Sequence, residues 1–233
     1  MTDIFSNNWF VFDYETSSLP DAGDMFRPLE LAILRYKDGK AKVISHFVNP
    51  WLDNPDFFID LEAEKIHGIN KEMVVNGYSP EESVKRFLRA TQEEMPIWTH
   101  NGTNFDFSLH DSECARFGFL PVTDDRRRDT AVMYRAYKLG IYPQDYPTLA
   151  EFHHYTARRF AKGLKFNLTL LTKELDIGVK LIEEDNEIVG WEVDHEKLGM
   201  DKEDIDNIGK RGLHSAAFDT VVTHALVMWM KRN

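Results

Sequence analysis

The sequence is poor in cysteine, in long apolar runs and in positive charge, and each shortage excludes a class of protein. Its single cysteine, Cys114, excludes an internal disulfide and a cysteine-based zinc cluster, and it fits a reducing compartment. No apolar run approaches the roughly 20 residues of a membrane-spanning helix, and the N-terminus lacks the layout of a signal peptide. The sequence therefore predicts a soluble, cytoplasmic protein with no membrane partner.

Positive charge is scarce overall but locally concentrated. The formal net charge is −11, which argues against a protein that coats nucleic acid with a broadly basic surface. Positions 126–165 hold nine basic residues and three acids, whereas positions 180–206 hold eleven acids and three lysines. Because aromatic residues alternate with the basic ones in the first segment, it fits either a track for a nucleic-acid backbone or a solvated helix face.

The chain does have enough apolar material for a large core. Its 233 residues are 42% hydrophobic, which predicts a single domain, 1–233, with room for insertions. Within the acidic segment, polar and apolar residues alternate from Asn186 to Val193, the pattern of a small strand or hairpin. For this strand or hairpin we favour a solvated flap without chemistry of its own.

Two carboxylates follow a strand-like run near the N-terminus. Trp9 to Phe12 is continuously apolar, which is typical of a central strand covered on both faces. Alternate residues of a strand share a side, so Asp13 and Glu15 would point into the same space. Two such charges repel unless a cation lies between them, and oxygen ligands suit Mg²⁺ or Mn²⁺. An isolated pair of this kind is more often simply solvated.

Local signals place the other elements around that strand. Asp38-Gly39 between two strand-like runs predicts a tight hairpin, and Ser79-Pro80 predicts the start of a helix. Two further helices are predicted at Thr148–Lys165 and Asn167–Leu175.

Two more acids and a histidine stand at the boundaries of predicted elements. Asp106 lies in the first turn of a helix, where the helix dipole also favours a carboxylate. Asp219 lies among apolar residues of the last helix, an expensive position for an unpartnered charge. His214 is five residues earlier, about 140° around an ideal helix. If His214 and Asp219 serve one site, His214 should lie in the turn or loop before that helix.

Together these segments match a known order of motifs. Phe12–Thr16, His100–Asp106 and His214–Asp219 resemble the three exonuclease motifs of the DnaQ-like 3′-5′ exonucleases, in the DEDDh branch. Ile66–Ile69 is similar to the family's His-Gly-Ile stretch, and Asp129-Thr130 to its Asp-Thr before a helix. The resemblance spans positions 10 to about 230. It implies an α/β, RNase H-like fold, with a central mixed five-stranded sheet flanked by helices and decorated by insertions at about 140–165 and 178–212.

The resemblance also implies a chemistry for the residues already singled out. Two Mg²⁺ or Mn²⁺ ions would be held by four acids, Asp13, Glu15, Asp106 and Asp219, with His214 as the general base. Thr16, Leu19 and His67 correspond to the contacts of the terminal nucleotide, with Leu19 as a wedge between bases. The product would be a nucleoside 5′-monophosphate.

One departure and several alternatives stay open at this point. The family often has Thr-Gly after Thr16, whereas this chain has Ser17-Ser18, so the loop geometry and the wedge are less secure. We expect single-stranded 3′ ends as partners, with DNA favoured over RNA. The alternatives are an RNA-trimming enzyme of the ribonuclease T or oligoribonuclease kind, usually dimeric, and a non-catalytic nucleic-acid-binding module. A homodimer and a polymerase partner are both left open.

Overall fold

The computed structural model describes residues 4–19, 23, 25–159, 166–185, 187–209 and 215–233. Its main sheet contains five strands: β1 (Trp9–Thr16), β2 (Pro28–Lys37), β3 (Lys40–Phe47), β4 (Ile97–Thr99) and β5 (Arg127–Asp129). Their order is β3-β2-β1-β4-β5. The first three strands pair antiparallel, while β4 and β5 run parallel to β1. The predicted mixed five-stranded sheet is therefore confirmed.

The helices flank this sheet, and a separate two-stranded hairpin lies between α7 and α8 in the chain. The helices are α1 (Leu61–His67), α2 (Lys71–Val74), α3 (Pro80–Ala90), α4 (Asp106–Phe117), α5 (Thr130–Leu139), α6 (Leu149–Ala157), α7 (Leu168–Glu174), α8 (His195–Leu198), α9 (Lys202–Gly209) and α10 (Ala216–Arg232). The hairpin consists of β6 (Val179–Glu184) and β7 (Glu187–Val193). None of the described helices combines the length and the apolar character needed to cross a bilayer.

Alternation along β1 divides the core into two layers. Trp9 and Val11 face the layer that contains α5 and α10, whereas Phe10 and Phe12 face the layer that contains α3 and α4. All four side chains are almost fully buried, so β1 is the covered central strand that its apolar run predicts. Residues 13 and 15 continue the first alternation and therefore point to the α10 side.

Local turn and cap chemistry follows the sequence closely. Asp38 and Gly39 both have positive φ, 52° and 80°, as a tight hairpin turn requires. The Ser79 side chain accepts a hydrogen bond from the backbone of Glu82 at the start of α3. The helix predicted at Thr148–Lys165 was too long, because α6 ends at Ala157; residues 160–165 lie outside the described part of the chain.

The part of the second insertion that follows the hairpin contributes to the core. Leu198, Met200 and Ile208 are buried in the α10 layer. The backbone N–H of Ala41 on β3 donates to the carbonyl of Gly199 at 2.8 Å. In the hairpin, Ile182, Val189 and Glu192 are exposed, whereas Trp191 and Val193 pack against the core, so the predicted solvated flap is confirmed for one face of the hairpin only. The insertion thus packs on the β3 edge of the main sheet and on α10.

Candidate active site

Two elements bring three carboxylates together at the end of β1. Asp13 and Glu15 project from the α10 side of β1, and Asp219 lies in the first turn of α10. One carboxylate oxygen from each of the three lies within 4.8 Å of the other two. The helix begins where it does because Ser215 caps it, its side chain accepting from the backbone of Phe218. Residues far apart in sequence therefore form one acidic cluster.

Asp106 reaches the same place from the opposite layer. It is the first residue of α4 and is buried. Its Oδ1 accepts a hydrogen bond of 3.0 Å from the backbone N–H of Tyr14, the residue between Asp13 and Glu15. This contact fixes Asp106 beside the two acids of β1, although it is not one of the three whose oxygens lie within 4.8 Å of one another.

Asp129 holds the loop that leads to Asp106. Its carboxylate accepts from the backbone N–H groups of Asn101 and Thr103, at 3.0 and 2.9 Å, and from the Thr103 hydroxyl at 2.7 Å. It also caps α5 by accepting from Ala131. Asn101 has a φ of 59°, which few residues other than glycine adopt. The Asp-Thr signal in the sequence thus marks a buried acceptor that shapes the second motif.

Burial and mutual repulsion disfavour ionisation of this cluster. Burial, then the charges of Asp106, Asp219 and other acids, raises the pKa of Asp13 well above its usual value. Burial raises the pKa of Glu15 strongly as well, and it raises the pKa values of Asp106 and Asp219 to about 7. A bound cation would offset the repulsion among the four ionised carboxylates, so the cluster favours cation binding.

A further acid, Glu30, is part of this environment and is not among the residues predicted from the sequence. It is 2% exposed and pairs directly with Glu15 in the β1–β2 register. Its charge also raises the pKa of Asp13, Glu15 and Asp219. The signal that could have found it is an acid inside the apolar run from Leu29 to Leu34, because a covered strand seldom contains a charge without a function.

The donor set fits a divalent cation of the hard kind. All the side chains that converge are carboxylates, and among the described residues no histidine or cysteine belongs to the cluster. Oxygen-only ligands suit Mg²⁺ or Mn²⁺ better than Zn²⁺. His214, the predicted base, lies outside the described residues; α10 begins at Ala216, so the helix itself starts after it in sequence.

The three residues predicted to contact a terminal nucleotide line one cavity next to Glu15. Thr16, Leu19 and His67 border a space of about 370 Å³, together with Ile66 and other residues of α1 and with Phe105 of the loop before α4. Leu19 is 68% exposed. An exposed leucine, an exposed isoleucine and a phenylalanine ring give this cavity an apolar wall, which suits the face of a base.

His67 is held in a single tautomer. Its Nδ1 accepts from the backbone N–H of Ile69 at 2.9 Å, so the proton is on Nε2, which donates to the carbonyl of Thr16 at 3.0 Å. Burial lowers the pKa of His67, which favours this neutral form near pH 7. The histidine therefore ties α1 to the end of β1 and fixes the backbone of Thr16 at the cavity.

A second cavity borders the acids near α7. Its lining includes Asp13 and Asp219 together with His100, Asn101 and Phe166. Because Glu15 lines the first cavity and Asp13 the second, the acidic cluster lies between the two. A chain molecule can therefore contact both cavities while its middle lies against the acids.

The basic segment is only in part a surface track. Arg126 and Arg128 donate mainly to backbone carbonyls, and Arg127 forms a two-pronged pair with Asp111 at 2.7 Å. These three arginines stabilise the structure and are not free for nucleic acid. Arg158 and Arg159, at the end of α6, are exposed.

Comparisons with known proteins agree with this arrangement. A family model described as Exonuclease matches residues 10–157. No curated protein sequence matches the chain. E. coli Exonuclease I in complex with a dA16 oligonucleotide is similar in structure, with a TM-score of 0.65 and 18% identity over 97% of this chain. Exonuclease X in complex with 5′ overhanging duplex DNA has a TM-score of 0.52 and 18% identity, over 96% of this chain and 91% of its own.

The similarity to Exonuclease I covers only part of that protein. This chain spans about 41% of the length of the Exonuclease I chain. A zinc-bound form of the E. coli Exonuclease I–DNA complex is also similar, with a TM-score of 0.65, 18% identity, and coverage of 98% of this chain and 41% of that chain. At such identities the structural similarities show a shared fold.

Proposed function

Since the chain belongs to the DnaQ-like exonuclease family, we propose that it is a metal-dependent 3′-5′ exonuclease that shortens single-stranded DNA to nucleoside 5′-monophosphates. The observation that carries this proposal is the half-buried cluster of Asp13, Glu15 and Asp219 beside a nucleotide-sized cavity. The cluster offers charge for a cation, and the cavity offers space for one terminal nucleotide. The family to which the chain belongs supplies the reaction class.

The four acids are assigned to the metal ions. Asp13, Glu15, Asp106 and Asp219 would hold two Mg²⁺ or Mn²⁺ ions, which would compensate the charge on the attacking and leaving oxygens of the phosphodiester. Asp106 is oriented for this purpose by the backbone of Tyr14. The raised pKa values of the acids fit the same assignment, since a nearby cation is what restores their ionised forms.

The other residues bind the strand and move the proton. Thr16 would contact the terminal nucleotide, and His67 would line the pocket for its base while fixing the Thr16 backbone. Leu19 would separate the terminal base from the one before it. His214 is assigned the role of general base, because an imidazole with a pKa near 6.5 can accept the proton of water at neutral pH.

Several finer points are proposals of the same kind. We place all residues, 1–233, in one domain in the cytoplasm, and we favour DNA because the similar nucleases are described with DNA. The described residues offer no contact that distinguishes a 2′-hydroxyl, so the RNA-trimming alternative is decided by experiment. A homodimer and a polymerase partner, which the sequence leaves open, are not part of this proposal.

The test is degradation of 5′-labelled single-stranded DNA and matched RNA with Mg²⁺ or Mn²⁺. We expect a ladder that shortens from the 3′ end, that disappears with EDTA and in Asp13→Ala, and that persists in the exposed control Asp56→Ala. The faster substrate decides between DNA and RNA. A folded wild-type protein that cleaves neither would refute the proposed activity and favour a binding module.

A further inference from the structure

We propose that the single strand upstream of the cleaved bond is held by a platform of Tyr155, Arg158 and Arg159 at the C-terminal end of α6. This inference rests on the proposed function, because it takes the 3′ end to lie in the first cavity. It adds a second contact area, remote from the acids, and it predicts that long substrates are recognised differently from short ones.

The two cavities give the strand a direction. If the terminal nucleotide occupies the cavity of Thr16 and His67, its phosphate lies at the acids. The second cavity, lined by Asp219 and Phe166, lies on the other side of the cluster, and the proposal takes the strand beyond the nucleotide next to Leu19 to leave along it. Phe166 is therefore the aromatic residue that the departing strand meets first in the described part of the chain.

Arg135 connects Phe166 to the end of α6. Its guanidinium lies 4.5 Å from the centre of the Phe166 ring. Its Nη1 donates to the carbonyl of Ala157, the last residue of α6, and lies 3.5 Å from the carbonyl of Thr156. Arg158 and Arg159, which directly follow Ala157, are thereby held on the side of the second cavity.

The end of α6 presents an aromatic ring and two cations. The Arg159 guanidinium lies 4.1 Å from the centre of the Tyr155 ring, and the rings of Tyr155 and Tyr146 are 5.1 Å apart. All three platform side chains are exposed. Such a stack offers a flat face to a base and positive charge to the phosphate next to it, the combination that sequence-independent single-strand binding uses.

The charge of the platform is available to a ligand. Within the described ranges, no carboxylate forms an ion pair with Arg158 or Arg159. Arg126, Arg127 and Arg128, in contrast, are occupied by carbonyls and by Asp111. In a chain with a net charge of −11, two exposed arginines at the end of α6 are a local attraction for a polyanionic strand.

The test compares a small substrate with a long one. The small substrate is the p-nitrophenyl ester of thymidine 5′-monophosphate, which reaches only the first cavity and the acids. The long one is a single-stranded DNA of about 16 nucleotides, the upper range for one single-strand-binding fold. The variants are Tyr155→Ala and the double variant Arg158→Ala with Arg159→Ala.

Matched controls exist elsewhere on the surface. Tyr78 is covered by the Arg86 guanidinium at 3.6 Å and is as exposed as Tyr155, 38% against 37%, so Tyr78→Ala is the control for Tyr155→Ala. Lys85→Ala with Arg89→Ala removes two exposed charges from α3 and serves as the control for the double variant. Neither control touches a residue that lines the two cavities.

We expect Tyr155→Ala to raise KM for the long DNA about tenfold, as the loss of one stacked base would. The double arginine variant should also raise KM for the long DNA. In this variant the slope of log affinity against log salt concentration should be smaller by about 1.4, which is about 0.7 for each phosphate that an arginine no longer neutralises. The platform variants should hydrolyse the small ester at the wild-type level. The two control variants should match wild type on both substrates.

Two results would overturn the platform. One is an unchanged KM for long DNA in folded platform variants. The other is an equal loss on the ester and on the DNA, which would indicate damage to the acidic site. If wild type hydrolyses neither substrate, the proposed function fails instead, and fluorescence anisotropy of the labelled DNA in Ca²⁺ still decides whether the platform binds it.

Discussion

The carboxylate of Glu30 on β2 accepts a hydrogen bond, at 3.3 Å, from the backbone N–H of Ala216, the first residue of α10. Glu30 thereby links the strand next to β1 to the turn of helix that carries Asp219. The contact joins positions that are 186 residues apart in sequence, and it determines where the third acidic motif meets the first.

We expect Glu30→Leu to weaken metal binding and Glu30→Gln to preserve it. Leucine leaves the buried N–H of Ala216 without this acceptor, at a cost of about 1–3 kcal/mol, and lets the first turn of α10 shift. The side-chain oxygen of glutamine can still accept the hydrogen bond from the N–H of Ala216. The measurement is the Mn²⁺ concentration for half-maximal hydrolysis, which should rise about tenfold in Glu30→Leu and less than about threefold in Glu30→Gln.

Thr91→Val is the control for that pair, because it also removes a buried side-chain hydrogen bond but lies away from the acids. It should lower Tm without changing the response to Mn²⁺. Identical metal responses of Glu30→Leu and Glu30→Gln would show that the hydrogen bond to Ala216 does not position Asp219.

Without metal, we expect Asp219→Asn to stabilise the protein more at pH 8 than at pH 5. Burial, then the charge of Glu30, raises the pKa of Asp219 from 3.8 to about 7. A carboxyl with a folded pKa above its unfolded value costs stability progressively as pH rises from about 4 to 7, up to about 4 kcal/mol here. Asparagine removes that cost.

Thermal unfolding in EDTA at the two pH values measures this effect. Comparing variant with wild type at each pH cancels the opposite trend of the buried histidines, such as His110 and His224, whose pKa values are lowered. Excess Mg²⁺ should reverse the order at pH 8, because only wild type keeps the complete set of acids. An equal gain in Tm at both pH values would contradict the raised pKa of Asp219.

We expect Asp129→Asn to destabilise the fold by about 3 kcal/mol, since one amide oxygen cannot replace two carboxylate oxygens that serve several buried donors. The loop of Asn101 and Thr103 should loosen with it, and turnover should fall for the small ester and for DNA alike. Guanidinium unfolding gives the stability. The exposed neighbour Asp125 supplies the control, Asp125→Asn, and an Asp129→Asn variant as stable as this control would refute the role of Asp129.

We expect Gly102→Ala to reduce kcat more than KM. A Cβ at this position would collide with the Thr99 side chain and lie 2.9 Å from Oδ2 of Asp106, so the second motif would have to shift, at a cost of about 1–3 kcal/mol. Gly190→Ala is the matched control, because its nearest neighbour would be at 3.5 Å, an ordinary contact. A fully active Gly102→Ala enzyme would show that the close packing here has no functional importance.

The features that could be predicted from the sequence are those that local chemistry decides. The Asp38-Gly39 turn depends on the positive φ angles that these two residues adopt. The alternation of side chains along β1 decides on which side of the sheet Asp13 and Glu15 lie. The position of Asp219 beside them required the known order of the family's motifs, because nothing in α10 alone indicates which strand it meets.

The features that could not be predicted depend on contacts between distant segments. Glu30 matters through Ala216, and Asp129 through the loop at Asn101. The second insertion showed only an acidic composition and a hairpin pattern, and neither reveals that Leu198 and Met200 are buried. The basic segment left a binding track and a solvated helix face open, because its composition does not reveal that the partners of Arg126 to Arg128 are mostly carbonyl groups of the protein itself.

The hydrogen bond between Ala41 and Gly199 has a consequence for how the insertion can be studied. Gly199 lies so close to the turn between β2 and β3 that a Cβ on it would collide with the carbonyl of Gly39. The insertion therefore shields the beginning of β3, which is an outer strand of the sheet. Excising it would leave backbone groups of β3 open to the strand of another molecule. A truncated protein would then tend to aggregate. Substitutions on the surface of the β6–β7 hairpin are therefore the better means of learning what the insertion contributes.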